Sequence, residues 1–114
     1  MGKTTKSIGD EGEKQALDYL LSKGYDLIEK NYRYKRNEVD LVVQKNKTLI
    51  FVEVKFRKSN DFGFPEDFVD SKKAERLQEA AENLIFDLDW KGNIRFDIIA
   101  ITKKRELKHF LDFC

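Results

Sequence analysis

Glu38-Val39-Asp40-Leu41-Val42-Val43, followed by Leu49-Ile50-Phe51-Val52-Glu53-Val54-Lys55-Phe56-Arg57, decides how the rest of this 114-residue chain is read. Both runs are dominated by β-branched and aromatic residues, with polar residues recurring at a period of two, the pattern of strands. In the first run Val39, Leu41 and Val43 fall on one face, and Glu38, Asp40 and Val42 on the other. In the second, Ile50, Val52, Val54 and Phe56 share a face opposite Phe51, Glu53, Lys55 and Arg57. The segment Gln44-Lys45-Asn46-Lys47-Thr48 between them is short and polar, which predicts an antiparallel hairpin with its charged faces side by side.

Such a hairpin sets two carboxylates, Asp40 and Glu53, beside the Lys55 ammonium on an otherwise apolar sheet. Residues two apart on a strand are about 6 to 7 Å apart and lean the same way. Carboxylate oxygens are the ligands that a hard cation such as Mg²⁺ prefers, and Lys55 is left facing substrate or water. The same residues also describe a half-exposed hairpin with a solvated charged face, since 38% of the chain is charged and Glu-x-Lys is a short motif.

Upstream, a helix is expected over residues 7–23, with Ser7 as N-cap, Asp10 complementing the first exposed amides and Gly24 as the C-terminal stop. Its inward stripe reads Gly9, Gly12, Glu13, Ala16, Leu17, Leu20 and Leu21. Glu13 stands out among these, either as a carboxylate aimed at a site or as one that serves the first turn or reaches solvent. Residues 25–32 read as a first strand. They run into Lys30-Asn31-Tyr32-Arg33-Tyr34-Lys35-Arg36-Asn37, where basic residues interleave with tyrosines just before Glu38. Lys and Arg contact phosphate while aromatic rings pack on bases or sugars, so this run is the best local candidate for a nucleic-acid surface; a solvated loop is the alternative.

Downstream, residues 58–67 break the periodicity and hold the only proline, forming a long loop beside the carboxylates that either clamps a substrate or simply connects elements. A second helix starts at Asp70 or Ser71 and runs to residue 86, with Leu77, Ala80, Ala81, Leu84 and Ile85 as its core stripe, and Lys72, Lys73 and Arg76 near its start face the loop end as further candidates to meet phosphate. A strand over 94–102 is apolar enough to be buried on both faces, and Asp97 within it needs a partner, Arg95 or Lys73. A basic turn, Lys103-Lys104-Arg105, precedes a last strand over 107–113. His109, the only histidine, is a poor zinc candidate because no second His or Cys accompanies it.

The length predicts one domain, 1–114. With 22 basic and 21 acidic residues the net charge is +1, so a nucleic-acid partner has to be recognised through local clusters rather than bulk charge. The single Cys114 forms no internal disulfide, and neither a membrane span nor a signal-peptide core is visible, so a cytoplasmic protein is expected. Gly2-Lys3-Thr4 imitates the end of a phosphate-binding loop but has no strand or earlier glycine before it, and Lys6 spoils a myristoylation signal.

The order helix, three strands, helix, strand, with one more terminal strand, together with Glu13, Asp40 and Glu53-x-Lys55, resembles the core of the restriction-endonuclease-like nucleases. More closely, the chain resembles the YraN-like family of predicted endonucleases, itself similar to archaeal Holliday junction resolvases. The matching motifs are Gly9-x-x-Gly12-Glu13-x-x-Ala16, Asn31-x-Arg33, Glu38-Val39-Asp40-Leu41-Val42, Phe51-Val52-Glu53-Val54-Lys55-x-Arg57, Phe62-Gly63 and Arg95-Phe96-Asp97. Asn37 stands where that family usually has glycine, and asparagine tolerates the positive φ of such a turn.

The resemblance implies an α/β, three-layer fold with a central mixed sheet flanked by helices, and a metal-dependent DNA endonuclease with a taste for branched or otherwise structured DNA. It implies that Asp40, Glu53 and the main-chain carbonyl of Val54 hold Mg²⁺ or Mn²⁺, that Glu13 binds or orients the metal or its water, and that Lys55 positions the attacking water. Lys30, Arg33, Lys35, Arg36, Arg57, Lys72 and Lys73 are the DNA-contacting candidates, Glu38 is left open between supporting the site and lying on the surface, and a homodimer is a further expectation. The alternatives are a DNA-binding module that does not cleave, or a protein-interaction domain on the same fold.

Overall fold

A computed structural model describes the backbone of residues 5–58 and 71–113, with side chains from residue 11 onward. Its elements are α1 (Thr5–Ser22), β1 (Asp26–Tyr34), β2 (Asn37–Lys45), β3 (Thr48–Phe56), α2 (Ser71–Leu88), β4 (Asn93–Ile101) and β5 (Leu107–Phe110). The strands form one sheet in the order β1-β2-β3-β4-β5, antiparallel except for the β3–β4 pair. The chain thus adopts the α/β, three-layer restriction-endonuclease-like architecture, a five-stranded mixed sheet with one helix on each face. No helix among the described residues is long and apolar enough to cross a membrane.

The alternation of side chains puts two different cores on the two faces. Leu41, Val43, Ile50, Val52, Ile99 and Ile101 pack under Ala16 and Leu20 of α1, with Val54 and Phe56 at the margin. Val39, Val42, Leu49 and Phe51 pack under Leu77, Ala80, Ala81 and Leu84 of α2, with Ile85 only partly buried. Full burial of such aliphatic side chains is worth about 1.5–3 kcal/mol each, which is what clamps the helices to the sheet. β4 is covered on both faces as its apolar run predicts, since Ile98 and Ala100 lie under Phe110 and Phe113.

Local chemistry sets the element ends. α1 closes in a Schellman turn, with Gly24 at φ 90°, its N–H on the Leu21 carbonyl and the Tyr25 N–H on that of Leu20. α2 closes the same way on Asp89 at φ 50°, the Trp90 N–H reaching the Ile85 carbonyl. The β2–β3 hairpin turns through only Asn46 and Lys47, both at positive φ, and the Lys47 carbonyl accepts from the Asn93 N–H. A Cβ on Gly92 would fall 2.2 Å from that carbonyl, so no other residue fits there.

Four expectations are corrected. α1 begins at or before Thr5, so Ser7 lies inside the helix rather than capping it. Leu21 is exposed, because the helix turns its Tyr19 flank toward the sheet instead. Val39 packs on the α2 face with Val42, not with Leu41 and Val43. The last strand stops at Phe110 because Asp112 takes a positive φ and its N–H turns to the Asp97 carboxylate. Residues 59–70, with the proposed clamp, the Phe62-Gly63 motif and the Asp70 cap, lie outside the described residues.

Candidate functional site

Strands β2 and β3 part where the site begins. Their ladder runs from Lys45 opposite Thr48 to a last pair, Leu41 opposite Val52. Beyond it the Val54 N–H donates to Asp40 Oδ2 at 2.7 Å, so a side-chain carboxylate takes the place that a ladder carbonyl would hold. The switch of Val39 to the α2 face belongs to the same irregularity: Asn31 of β1 lies between the pairs Lys30–Leu41 and Tyr32–Val39 and has φ 52°. A left-handed residue interrupts the regular pleat of its own strand, and asparagine is among the few that adopt it readily.

Asp40 is largely buried, and its carboxyl is pushed up to about 7. Burial is the main cause, followed by the Glu53 charge; the Val54 N–H works in the opposite direction, and Glu13 and Glu38 add to the rise. Glu53 is buried, and its Oε1 accepts from Lys73 Nζ at 2.5 Å and lies 3.2 Å from Lys55 Nζ. Burial and the neighbouring Lys73 ammonium hold Lys55 below its ordinary pKa, against the pull of Glu53. For Lys73, burial would lower the value, but its contacts with Glu53 and Lys55 and the charges of Glu53 and Asp40 together outweigh this and the net shift is upward.

Glu13 reaches this group from α1, on the other side of the sheet, through a residue that sequence reasoning placed in a motif without giving it a role. With its amide nitrogen facing the two carboxylates, Asn31 donates to Glu13 Oε2 at 3.1 Å and to Glu38 Oε1 at 3.2 Å. Glu38 is therefore held beside the site as well as exposed, and it also pairs with Arg33 at 3.4 Å. The sequence signal for Asn31 was the motif Asn31-x-Arg33 and its place in a run made mostly of charges and rings.

Hard oxygen donors that repel one another are the donor set a divalent cation relieves, and Asp40 with Glu53, Glu13 and Glu38 fits that description. Among the described residues, however, no three His, Cys, Asp or Glu side chains are gathered closely enough to hold an ion. Glu53 is drawn toward α2 and its lysine. Val54 is engaged at the site through its amide.

Beside the carboxylates lies a groove of about 620 Å³ lined by Lys35, Arg36, Asn37, Lys72, Glu75, Arg76 and Glu79. A contiguous space of about 380 Å³, lined by residues that include Arg36, Glu38, Lys72, Lys73 and Arg76, leads from it to the Glu53 partner. The structure thus joins Lys35, Arg36, Lys72, Lys73 and Arg76 of the phosphate candidates. Lys30 and Arg33 sit farther back on β1, outside this lining, and Arg57 follows β3 with its N–H on the Ile101 carbonyl.

Asp97 takes Arg95, not Lys73, as its partner. Arg95 Nε and Nη2 donate to its two oxygens at 2.8 and 2.9 Å, the Asp112 N–H donates at 2.8 Å, and His109 Nε2 lies 2.7 Å from Oδ2. A carboxylate only accepts, so Nε2 carries the proton and Nδ1 faces the Tyr19 hydroxyl at 3.1 Å. Burial alone would raise the Asp97 pKa, but the bonds from His109, Arg95 and Asp112 outweigh it and hold it below its ordinary value. His109 is therefore a buried structural partner, a role its solitary position in the sequence did not disclose.

Residues 12–101 match the profile of the uncharacterised protein family UPF0102. Relatives called UPF0102 protein include one from Cytophaga hutchinsonii, 45% identical with 91% of this chain and 92% of that one covered. Others come from Christiangramia forsetii, 39% identical with 92% and 91% covered, and Thermodesulfovibrio yellowstonii, 42% identical with 86% and 88% covered. Since the matched region carries Glu13, Asn31, Asp40, Glu53, Lys55 and Lys73, and the resemblance drawn from the motifs is to these same YraN-like proteins, the chain belongs to the UPF0102 family.

Proposed function

We propose that this protein is a metal-dependent endodeoxyribonuclease that hydrolyses phosphodiester bonds, with branched or otherwise structured DNA as its substrate class. The observation that carries the reading is the meeting of mutually repelling carboxylates, Asp40 and Glu53, with Lys55, where Glu53 is bonded to the Lys73 that lines a groove rich in basic residues. Asp40, Glu53, Glu13 and the Val54 carbonyl would hold Mg²⁺ or Mn²⁺, which when bound supplies Lewis-acid polarisation of the phosphate and a more acidic water. Lys35, Arg36, Lys72 and Arg76 neutralise backbone phosphates along the groove and fix the strand in register. Lys55, two residues along the strand from Glu53, positions the attacking water and neutralises charge that appears on the phosphate in the transition state. Asn31 keeps Glu13 and Glu38 from drifting apart under their own repulsion.

A second reading, a DNA-binding module without cleavage, is favoured by one observation: Glu53 Oε1 is already shared by two ammonium groups. The test is a panel of linear, flapped and four-way DNA incubated with protein freed of contaminating nucleases, with and without Mg²⁺ or Mn²⁺. Cleavage is expected only with metal, and Lys55→Ala should lower it by about two to three orders of magnitude, the loss typical of one transition-state electrostatic contact. DNA binding throughout the panel with no cutting in either metal establishes the binding module instead.

A further inference from the structure

We propose that Lys73 is the resident counter-ion of Glu53, holding the place a divalent cation takes, so that cation binding and release of the Lys73 ammonium into the groove are one event. This rests on reading Asp40 and Glu53 as the cation ligands. Positive charge is unevenly shared at the site. Glu53 Oε1 has two ammonium groups in direct contact, Lys73 at 2.5 Å and Lys55 at 3.2 Å, whereas Asp40 is bonded to a backbone N–H, lies in the fields of other carboxylates and feels the Lys73 charge only through space. Among the described residues no three acidic groups are gathered into a cluster, and the Glu53 carboxylate is bonded instead to the lysine of α2.

The two lysines differ in what they can do next. Lys55 leaves the same strand on the same face as Glu53, two residues along, so its backbone anchor does not move relative to that carboxylate. Lys73 stands on the first turn of α2, and its long unbranched stem already lines the space that opens into the basic groove. A doubly charged ion on Glu53 repels the nearer ammonium, which has a second anionic environment waiting wherever a phosphate enters beside Lys72 and Arg76. Until then Lys73 keeps Glu53 neutralised and the strands β2 and β3 from being pushed farther apart.

The test needs no DNA and no turnover. Metal-free wild type, Lys73→Gln, Lys73→Arg and Lys72→Gln are titrated with Mn²⁺ by calorimetry. Lys73→Gln should bind about tenfold more tightly than wild type, within the usual range for coupled sites. Lys73→Arg, which keeps the competing charge, should remain near wild type, and Lys72→Gln should tighten binding far less than Lys73→Gln. A merely structural lysine predicts the opposite, weaker binding on its loss. Equal or weaker binding by Lys73→Gln overturns the inference, as does an equal gain in Lys72→Gln. A measurement on the wild type is independent of how the variants fold: the ¹⁵Nζ resonance of Lys73 should shift on adding Ca²⁺, and a resonance that stays put while Ca²⁺ binds also overturns it. If the wild type binds cations normally while these effects are missing, only the role of Lys73 falls; if no variant binds any cation, the metal reading of Asp40 and Glu53 falls with it.

Discussion

Two aspartates of one sheet, Asp40 on β2 and Asp97 on β4, are both taken out of water and end with opposite charge behaviour. Asp97 has every lone pair claimed by a donor, two from Arg95, one from His109 and one from the Asp112 main chain, and is held below its ordinary pKa. Asp40 has one N–H and three carboxylates in its field, and is pushed up to about 7. Burial works the same way on both; the neighbours decide the sign. Asp97 ties β4, β5 and, through His109 and Tyr19, helix α1 together, whereas Asp40 stores repulsion that a cation or an ammonium has to relieve.

The comparison breaks most visibly at Asp97. Asp97→Ala strands a nearly enclosed His109 and a partly buried Arg95 and should cost about 3 kcal/mol, the low end for a broken buried pair because Arg95 keeps some water contact. Denaturation of the variant within experimental error of wild type would show the network to be ornamental. A carboxyl whose folded value is depressed stabilises the fold above its ordinary value of 3.8, and that contribution disappears as pH falls through the folded value. Asp97→Asn should therefore flatten the acid limb of the stability profile.

Asp40 should behave in the reverse sense. Its folded pKa is raised, so the folded state holds a proton between 3.8 and about 7 that the unfolded chain has lost, and stability declines as pH rises across that window. In metal-free buffer Asp40→Asn should raise stability by about 2 kcal/mol at mildly alkaline pH, after discounting for water contact and relaxation, and change little in acid. The Asn side chain keeps an acceptor for the Val54 N–H, so the gain isolates the charge. An identical difference from wild type at both ends of the pH range would remove the repulsion from the account.

The smallest effect is expected at Asn31, which sharpens the comparison by separating backbone from charge. Asn31→Ala should cost about 1 kcal/mol for a left-handed residue with a Cβ. Asn31→Gly tolerates that φ but also loses the bridge between Glu13 and Glu38, so the difference between the Ala and Gly variants in melting temperature reads the backbone term, with the bridge lost from both. Equal melting of Ala and Gly variants would show that the φ is not strained.

What could be read in advance follows from the range of the forces. Strand alternation in 49–57 and the helical stripe Leu77, Ala80, Ala81, Leu84 are local periodicities, and the two cores formed where they predicted. Asp40, Glu53 and Lys55 were legible because charges inside apolar strands need a reason. Val39 was misplaced because the alternation of β2 breaks at Asp40, opposite the irregular, left-handed Asn31 stretch of β1, and nothing in the sequence of β2 records it. The Lys73–Glu53 and His109–Asp97 pairs each join different elements, and a surface-looking lysine or a lone histidine gives no hint of which carboxylate the topology will bring to it.

The bond from the Val54 N–H to Asp40 has a bearing on descent. Where the strands fork, the acidic side chain is also a piece of the sheet, the acceptor that closes an amide left over by the ladder. Alanine at that position would orphan a half-buried amide whether or not the protein ever touched a phosphodiester. Among relatives, then, a retained aspartate is evidence of an intact sheet first, and a lineage that had abandoned the chemistry would still be held to aspartate or asparagine there. A lineage's use of the site is better read from Lys55, whose ammonium no strand requires.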